Sequence, residues 1–313
     1  MKRINKIFAG MMAFTILLSS VLANEDKGIN EMWGKPTFVY GKGLSDSEIE
    51  NTKKLLSIKN DENINSTYVD GKDELRYLVN GVGDDSQMIS SALVQKTDKG
   101  GIKIEIVTKE NITQITENQY ENAAITAGVN NVNIKIASVK KVTGESALVG
   151  IFKAFEVNGE KLDSERMKVA QNELETSNMI VQENKNKEGF DAAKWNQVII
   201  NIKQEISNYY NENKDTADAK EVEKFITDSI QKYDLENTIS DDQIQNLQKL
   251  FEDYQNTGAV DSKEVLEQLS SLSASIGEKA GKVLQDAKES GVLDKILGFF
   301  MGIIDAIRRA ISK

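Results

Sequence analysis

Cysteine and histidine are both missing from the 313 residues of this chain. Without cysteine there is no disulfide framework and no thiol nucleophile. Without histidine, Ser-His-Asp triads, HExxH zinc sites and most general acid–base designs for neutral pH are excluded. Catalysis, if any, falls to carboxylates, lysine, tyrosine or serine. Proline is nearly absent too: Pro36 stands alone, which leaves long stretches free to be helical. Base is in deficit, with 39 Lys and Arg against 49 Asp and Glu and a formal net charge of -10. Residues 1–23 contain Lys2, Arg3 and Lys6 and no acid, so the remainder is more acidic still. Such a body repels phosphate, and nucleic acid is not expected as a partner.

The composition, 39% hydrophobic and 28% charged, is that of a globular protein, and the length suffices for two ordinary domains. Lys2, Arg3 and Lys6 form a basic start, the apolar run Ile7 to Leu18 follows, and Val21-Leu22-Ala23 supplies a small-residue cleavage site. This pattern predicts a signal peptide over residues 1–23, removed before Asn24, and hence a secreted or extracellular protein, with cell-envelope association open. The alternative, an uncleaved anchor, is disfavoured because the apolar run is short for a span.

Beyond Trp33 the pattern is that of a small α/β domain. Thr37-Phe38-Val39-Tyr40 reads as a strand, and Ser45 with Glu48 forms a capping box before Ile49, Leu55 and Leu56. Ile102, Ile104 and Ile106 alternate with Lys103 and Glu105, and Val132, Ile134 and Ile136 alternate later. Between them Asn111 is expected to cap a helix that Gly128 ends, which makes a βαβ unit with two parallel neighbours. Helix dominates from Thr143 onward, with a cap at Asp163 or Ser164 and a polar hinge over residues 183–188. Trp195, Val198, Ile199, Ile202, Ile206 and Tyr209 share one stripe, and Ser240 with Gln243 caps a further helix. The expected fold is α+β/α: a small N-terminal α/β domain (residues 34–182) followed by an all-helical domain (residues 189–313) that ends in an amphipathic helix (residues 291–313).

Several segments together carry a family resemblance: Met88-Ile89-Ser90-Ser91-Ala92, Asn111-Ile112-Thr113, Gln119 through Gly128, and Val142-Thr143-Gly144-Glu145-Ser146-Ala147-Leu148 with Lys153-Ala154-Phe155-Glu156. The chain resembles the exported bacterial family catalogued as domain of unknown function 1002 over nearly all of its mature length. That resemblance implies export and architecture. The family has no established reaction, so no functional residue carries over.

At 100° per residue Val292, Leu293, Ile296, Leu297, Phe299, Phe300, Ile303, Ile304, Ile307 and Ile311 share one arc, opposite Asp294, Asp305, Arg308, Arg309 and Lys313. Each large side chain is worth about 1.5–3 kcal/mol when buried, so the arc needs a partner: the protein's own helices, another protomer or a membrane surface. A bilayer span is disfavoured, because Asp294 and Asp305 bracket only ten residues. Phe299, Phe300, Ile303 and Ile307 are the expected buried contacts, with Arg308 and Arg309 as the electrostatic part.

The segment from Asp253 places Gly258, Asp261 and Glu264 at positions 6, 9 and 12 of an EF-hand-like loop, making Asp253, Asp261 and Glu264 candidate calcium ligands. Gln255 and Thr257 at positions 3 and 5 are neutral, and the other reading is a plain helix–loop–helix turn. No other cofactor is indicated. Asp61-Glu62-Asn63-Ile64-Asn65 reads as a solvated turn. Thr143 is expected to cap the helix after Gly144, Ser138-Val139-Lys140-Lys141 is a chance S-x-x-K, and Asp84-Asp85 an exposed loop. The function expected is non-enzymatic: an extracellular or envelope-associated binding or assembly protein. A carboxylate-based hydrolase of envelope polymers and a membrane-permeabilising protein are the alternatives.

Overall fold

The computed structural model describes residues 31–77 and 81–286, with side chains to residue 279. The signal peptide read over residues 1–23, and the amphipathic helix with Phe299, Phe300, Ile303, Ile307, Arg308 and Arg309, lie outside the described residues.

The N-terminal half is a mixed five-stranded sheet. In chain order come β1 (Thr37–Gly41), α1 (Asp46–Leu55), β2 (Asn65–Val69), α2 (Gly71–Tyr77), β3 (Ser91–Lys96), β4 (Ile102–Ile106), α3 (Glu117–Ala127), β5 (Val132–Ala137) and α4 (Ser146–Val157). The order across the sheet is β2-β1-β3-β5-β4. β1 and β2 are parallel, β4 and β5 are parallel, and β3 runs antiparallel between the two pairs. The expected βαβ unit is β4–α3–β5.

Register decides which side chains meet. Ile134 stands opposite Val94 on one side and Ile104 on the other, and Val39 stands opposite Ala92. These residues line one face, which packs on Ile151, Phe152 and Phe155 of α4 and on Tyr120 and Ala124 of α3. The other face carries Phe38, Leu93 and Ala137, covered by Ile49, Leu56 and Ile58.

Five helices follow: α5 (Ser164–Asn184), α6 (Ala192–Asn213), α7 (Ala219–Lys232), α8 (Asp241–Gln255) and α9 (Lys263–Asp286). The overall class is α+β, as the sequence predicts. The buried apolar residues run on from Val39 and Ile134 in the sheet through Tyr120 to Trp195, Leu250 and Leu269 in the helices. Residues 183–188 form a tight turn: the Lys187 amide donates to the Asn184 carbonyl, and Lys187 Nζ reaches the Thr238 carbonyl at 2.8 Å.

Local signals hold where they are self-contained. Ser45–Glu48 and Ser240–Gln243 form capping boxes, Asp163 caps α5, and Gly128 closes α3 at φ 90°. At two caps the structure differs from expectation. α3 begins at Glu117, capped by Thr116 with Gln119, because the Asn111 amide is drawn away to the Ser138 carbonyl at 2.7 Å. α4 has no side-chain cap, since the Thr143 hydroxyl turns to the Glu145 carboxylate. The turn at Asp61–Asn63 leads straight into β2, a strand whose pattern is too polar to announce itself.

Candidate functional site

In open α/β sheets ligands usually sit beyond the carboxyl ends of the parallel strands. Here the ends of β1 and β2 are closed by residues 83–89. A Cβ on Gly41 would fall 2.0 Å from the Met88 carbonyl oxygen, and one on Gly71 2.1 Å from that of Gly83, so only glycine admits this backbone crossing. Asp85 holds the strap down: it accepts from the Gly71 amide at 2.8 Å and pairs with Lys42 at 2.9 Å. Asp84 caps the short turn within it by accepting from the Ser86 amide. Their hydrogen bonds pull both carboxyls below the usual range, so this pair is structural.

At the end of β4 a shallow cavity of about 250 Å³ opens between Ile106, Lys109, Ile112 and Glu117. Its carboxylate is already engaged, since Glu117 Oε1 accepts from the Ile106 amide and faces Lys109 at 3.2 Å.

The more telling group lies where α2, the β5–α4 connection and α5 meet. Gln171, Glu175, Asn178 and Gln182 share one stripe of α5. Gln171 Nε2 donates to Glu175 Oε1 at 3.2 Å, and Asn178 Nδ2 donates to Gln114 Oε1 at 2.9 Å. From α2 comes Glu74, buried, with Oε2 accepting from the Gly83 amide at 2.8 Å. Burial pushes the Glu175 carboxyl up; Gln171 pulls it back, and the charges of Glu145 and Glu74 raise it further. Burial likewise raises Glu145, against hydrogen bonds from Thr143 and Asn178. Gln171 is fully buried, and its Oε1 has no partner.

A second polar group is sealed between the sheet's helix and the bundle. Lys203 Nζ of α6 lies 2.6 Å from Glu173 Oε1, with both side chains buried. It also donates to Thr126 Oγ1 at 2.9 Å and the Asn122 carbonyl at 3.0 Å, while Thr126 donates to Glu173 Oε2 at 2.6 Å. Desolvation pushes Lys203 down and Glu173 up, each opposed by the other's charge. The setting is a clasp with no route to solvent.

The calcium candidates do not converge. Asp253 lies in the last turn of α8, and Gln255 turns inward, where its side chain clamps the Ala217 amide and carbonyl. The Thr257 hydroxyl is spent on the Tyr254 carbonyl, and Gly258 lacks the positive φ that the sharp turn of such a loop demands. Asp261 and Glu264 act electrostatically on the Arg166 guanidinium, already a cation in that place. Among the described residues no group of three acids is placed to hold a metal. Ser138 Oγ donates to the Lys140 carbonyl and gives no Ser–Lys pair.

Sequence reasoning missed Glu74, Glu145, Gln171 and Glu175 as a group. The polar stripe on α5 was a readable signal. That the charges of Glu74 and Glu145, far off in the chain, act on Glu175 was not.

Comparison with known proteins adds kinship without chemistry. The family described as "Protein of unknown function (DUF1002)" matches residues 40–272. An uncharacterized protein, YpuA of Bacillus subtilis (strain 168), is 29% identical over 310 residues, spanning 96% of this chain and 98% of that protein. No solved structure matches.

Proposed function

We propose that this chain, which belongs to the DUF1002 family of proteins of unknown function, is a non-catalytic binding or assembly protein of the extracellular or envelope compartment whose C-terminal segment contacts a membrane surface. The observation that carries this reading is the seating of α9. Val265, Leu269, Leu272 and Ile276 are buried against α3 and α6, Ser273 donates to Gln197 at 2.8 Å, and Gln268 donates to the Val129 carbonyl. The last described helix is thus anchored in the body, and residues 287–313 follow it in the chain. Arg308, Arg309 and Lys313 collect cationic charge at the end of an otherwise acidic chain, which suits an anionic surface. Among the described residues no helix is long and apolar enough to cross a membrane.

Hydrolysis is less well supported. Two-carboxylate hydrolysis works with one acid raised and its partner left ionised. Burial moves Glu145 and Glu175 in the same direction, which favours a binding role over that division of labour.

Vesicle co-sedimentation of the full chain against a chain ending at Ser290 tests the proposal. Binding to anionic vesicles that is lost on truncation supports surface contact, and leakage of a trapped dye would make the contact permeabilising. If neither chain binds and truncation lowers the melting temperature, the segment belongs to the core. Concentration-dependent mass that vanishes on truncation would assign it to a second copy. Export is tested separately, by sequencing the N-terminus of protein recovered from culture medium, where a start at Asn24 is expected.

A further inference from the structure

We infer that the cavity at the end of β4 is the resting seat of the chain's own C-terminal apolar segment, residues 291–313. The cavity, about 250 Å³, is lined by Ile106, Ile112 and Ile115. Its polar rim is engaged from within. Glu117 accepts from the Ile106 amide and pairs with Lys109, and the Thr113 hydroxyl donates to the Val142 carbonyl at 2.8 Å. Thr116 is spent on its capping box with Gln119, and the Gln114 amide oxygen accepts from Asn178. An opening with isoleucine walls and satisfied polar groups favours an apolar occupant. It is also smaller than the roughly 300–1,000 Å³ of a small-molecule pocket, which suits side chains from an amphipathic helix better than a cofactor.

Direction and chain length name that occupant. Gln268, early in α9, donates to the Val129 carbonyl just past the end of α3, while Ser270 and Ser273 meet Gln204 and then Gln197 of α6. Further along, the charge of Lys279 acts on Glu121, one turn from Glu117 on α3. α9 therefore runs antiparallel to both helices, toward the start of α3, where the cavity opens. At 1.5 Å per residue Gln268–Asp286 rises about 27 Å and Glu117–Val129 about 18 Å, so α9 overruns the start of α3 by about 9 Å. From Asp286 to Gly291 the chain covers at most about 18 Å. The apolar arc thus begins within reach of the cavity, and its Leu293, Ile296 and Phe300 match the isoleucine walls.

Because the chain has no cysteine, introduced pairs report contact without background. In the full chain Lys109→Cys, on the exposed rim, would be combined with Ile296→Cys or Phe300→Cys on the arc, or with Asp294→Cys or Arg309→Cys opposite it, and oxidised. A disulfide needs Cα atoms within about 7 Å, so the arc positions should close within one chain at least about tenfold faster than the opposite ones. Ser66→Cys on β2, at the far edge of the sheet from β4, is the control and should close with neither. Hydrogen exchange is the second readout. Ile296→Asp with Phe300→Asp should speed exchange of the amides of residues 109–117 about tenfold, with the melting curve showing that the body remains folded. Disulfides between chains would assign the segment to a second copy and overturn the inference. Equal closure rates for the two faces, or unchanged exchange in the folded variant, would also overturn it. No vesicle enters either measurement, so failure here leaves the membrane reading standing, and failed sedimentation leaves this one standing.

Discussion

Replacing Lys203 by methionine removes one ammonium and keeps most of the side-chain volume, so it isolates the charge of the buried clasp. Glu173 would then face the interior without its counter-charge, 3% exposed, and Thr126 Oγ1 and the Asn122 carbonyl would each lose a donor. Breaking a buried pair from one side costs about 3–5 kcal/mol, a large part of the stability of an ordinary domain. Urea unfolding followed by the fluorescence of the buried Trp195 should show a midpoint shift of that size. Two companion measurements expose the cause. Lys203→Met with Glu173→Leu should recover most of the loss, because no uncompensated charge remains. In the single variant the loss should shrink as pH falls from 8 to 5: burial holds the Glu173 carboxyl up, so protonation relieves the penalty. A single-variant loss below about 1 kcal/mol, the scale of an exposed pair, or strictly additive losses in the double variant, would refute the account.

Three further outcomes follow from the same geometry. Gly41→Ala should destabilise by about 1–3 kcal/mol, as overpacking does, because its Cβ would meet the Met88 carbonyl at 2.0 Å; Gly258→Ala, with nothing within 4 Å, should be neutral or mildly stabilising in the same thermal melt. Thr116→Ala should cost about 1 kcal/mol, the usual worth of a cap, through loss of the bond its hydroxyl accepts from the Gln119 amide, read as a lowered urea midpoint with unchanged slope. Burial, against Lys279 and with Glu117, pushes the Glu121 carboxyl up to about 7, so the folded chain holds this proton more tightly than the unfolded chain and loses stability as pH rises from 5 to 8. Glu121→Gln should flatten that part of the pH–stability profile and stabilise the protein at pH 8 by at most about 3 kcal/mol; parallel profiles for parent and variant would contradict it.

How far the fold could be read from sequence depended on how local each cause was. The alternation in Ile102–Ile106 and Val132–Ile136 was legible because β4 and β5 bury one face and expose the other. β2 buries only Val69 and β3 is covered on both sides, so neither shows a period-two pattern and both were missed. Capping boxes were legible because both partners lie within four residues. Asn111 misled because its amide serves a carbonyl 27 residues away. The calcium reading meets a similar limit: residue types at loop spacing do not tell whether Gln255 faces a cation or, as here, the backbone of Ala217.

The two polar groups are linked through α5. Glu173 stands about 200° around the helix from Gln171, while Glu175 and Asn178 return to within about 40° of it. One face of α5 therefore carries Arg166 on the α3 carbonyls, Glu173 on Lys203 and Ser177 on the Trp195 indole. These directional contacts set both the rotation and the axial position of the helix, which apolar packing alone leaves loosely specified. The opposite face then carries Gln171 on Glu175 and Asn178 on Gln114 in a single register. A buried charge that adds little net stability can still be retained for this purpose, because a rotation of one residue, about 100°, would carry Asn178 away from Gln114. The clasp is best understood as the device that holds α5 in register between the sheet's helix and the bundle.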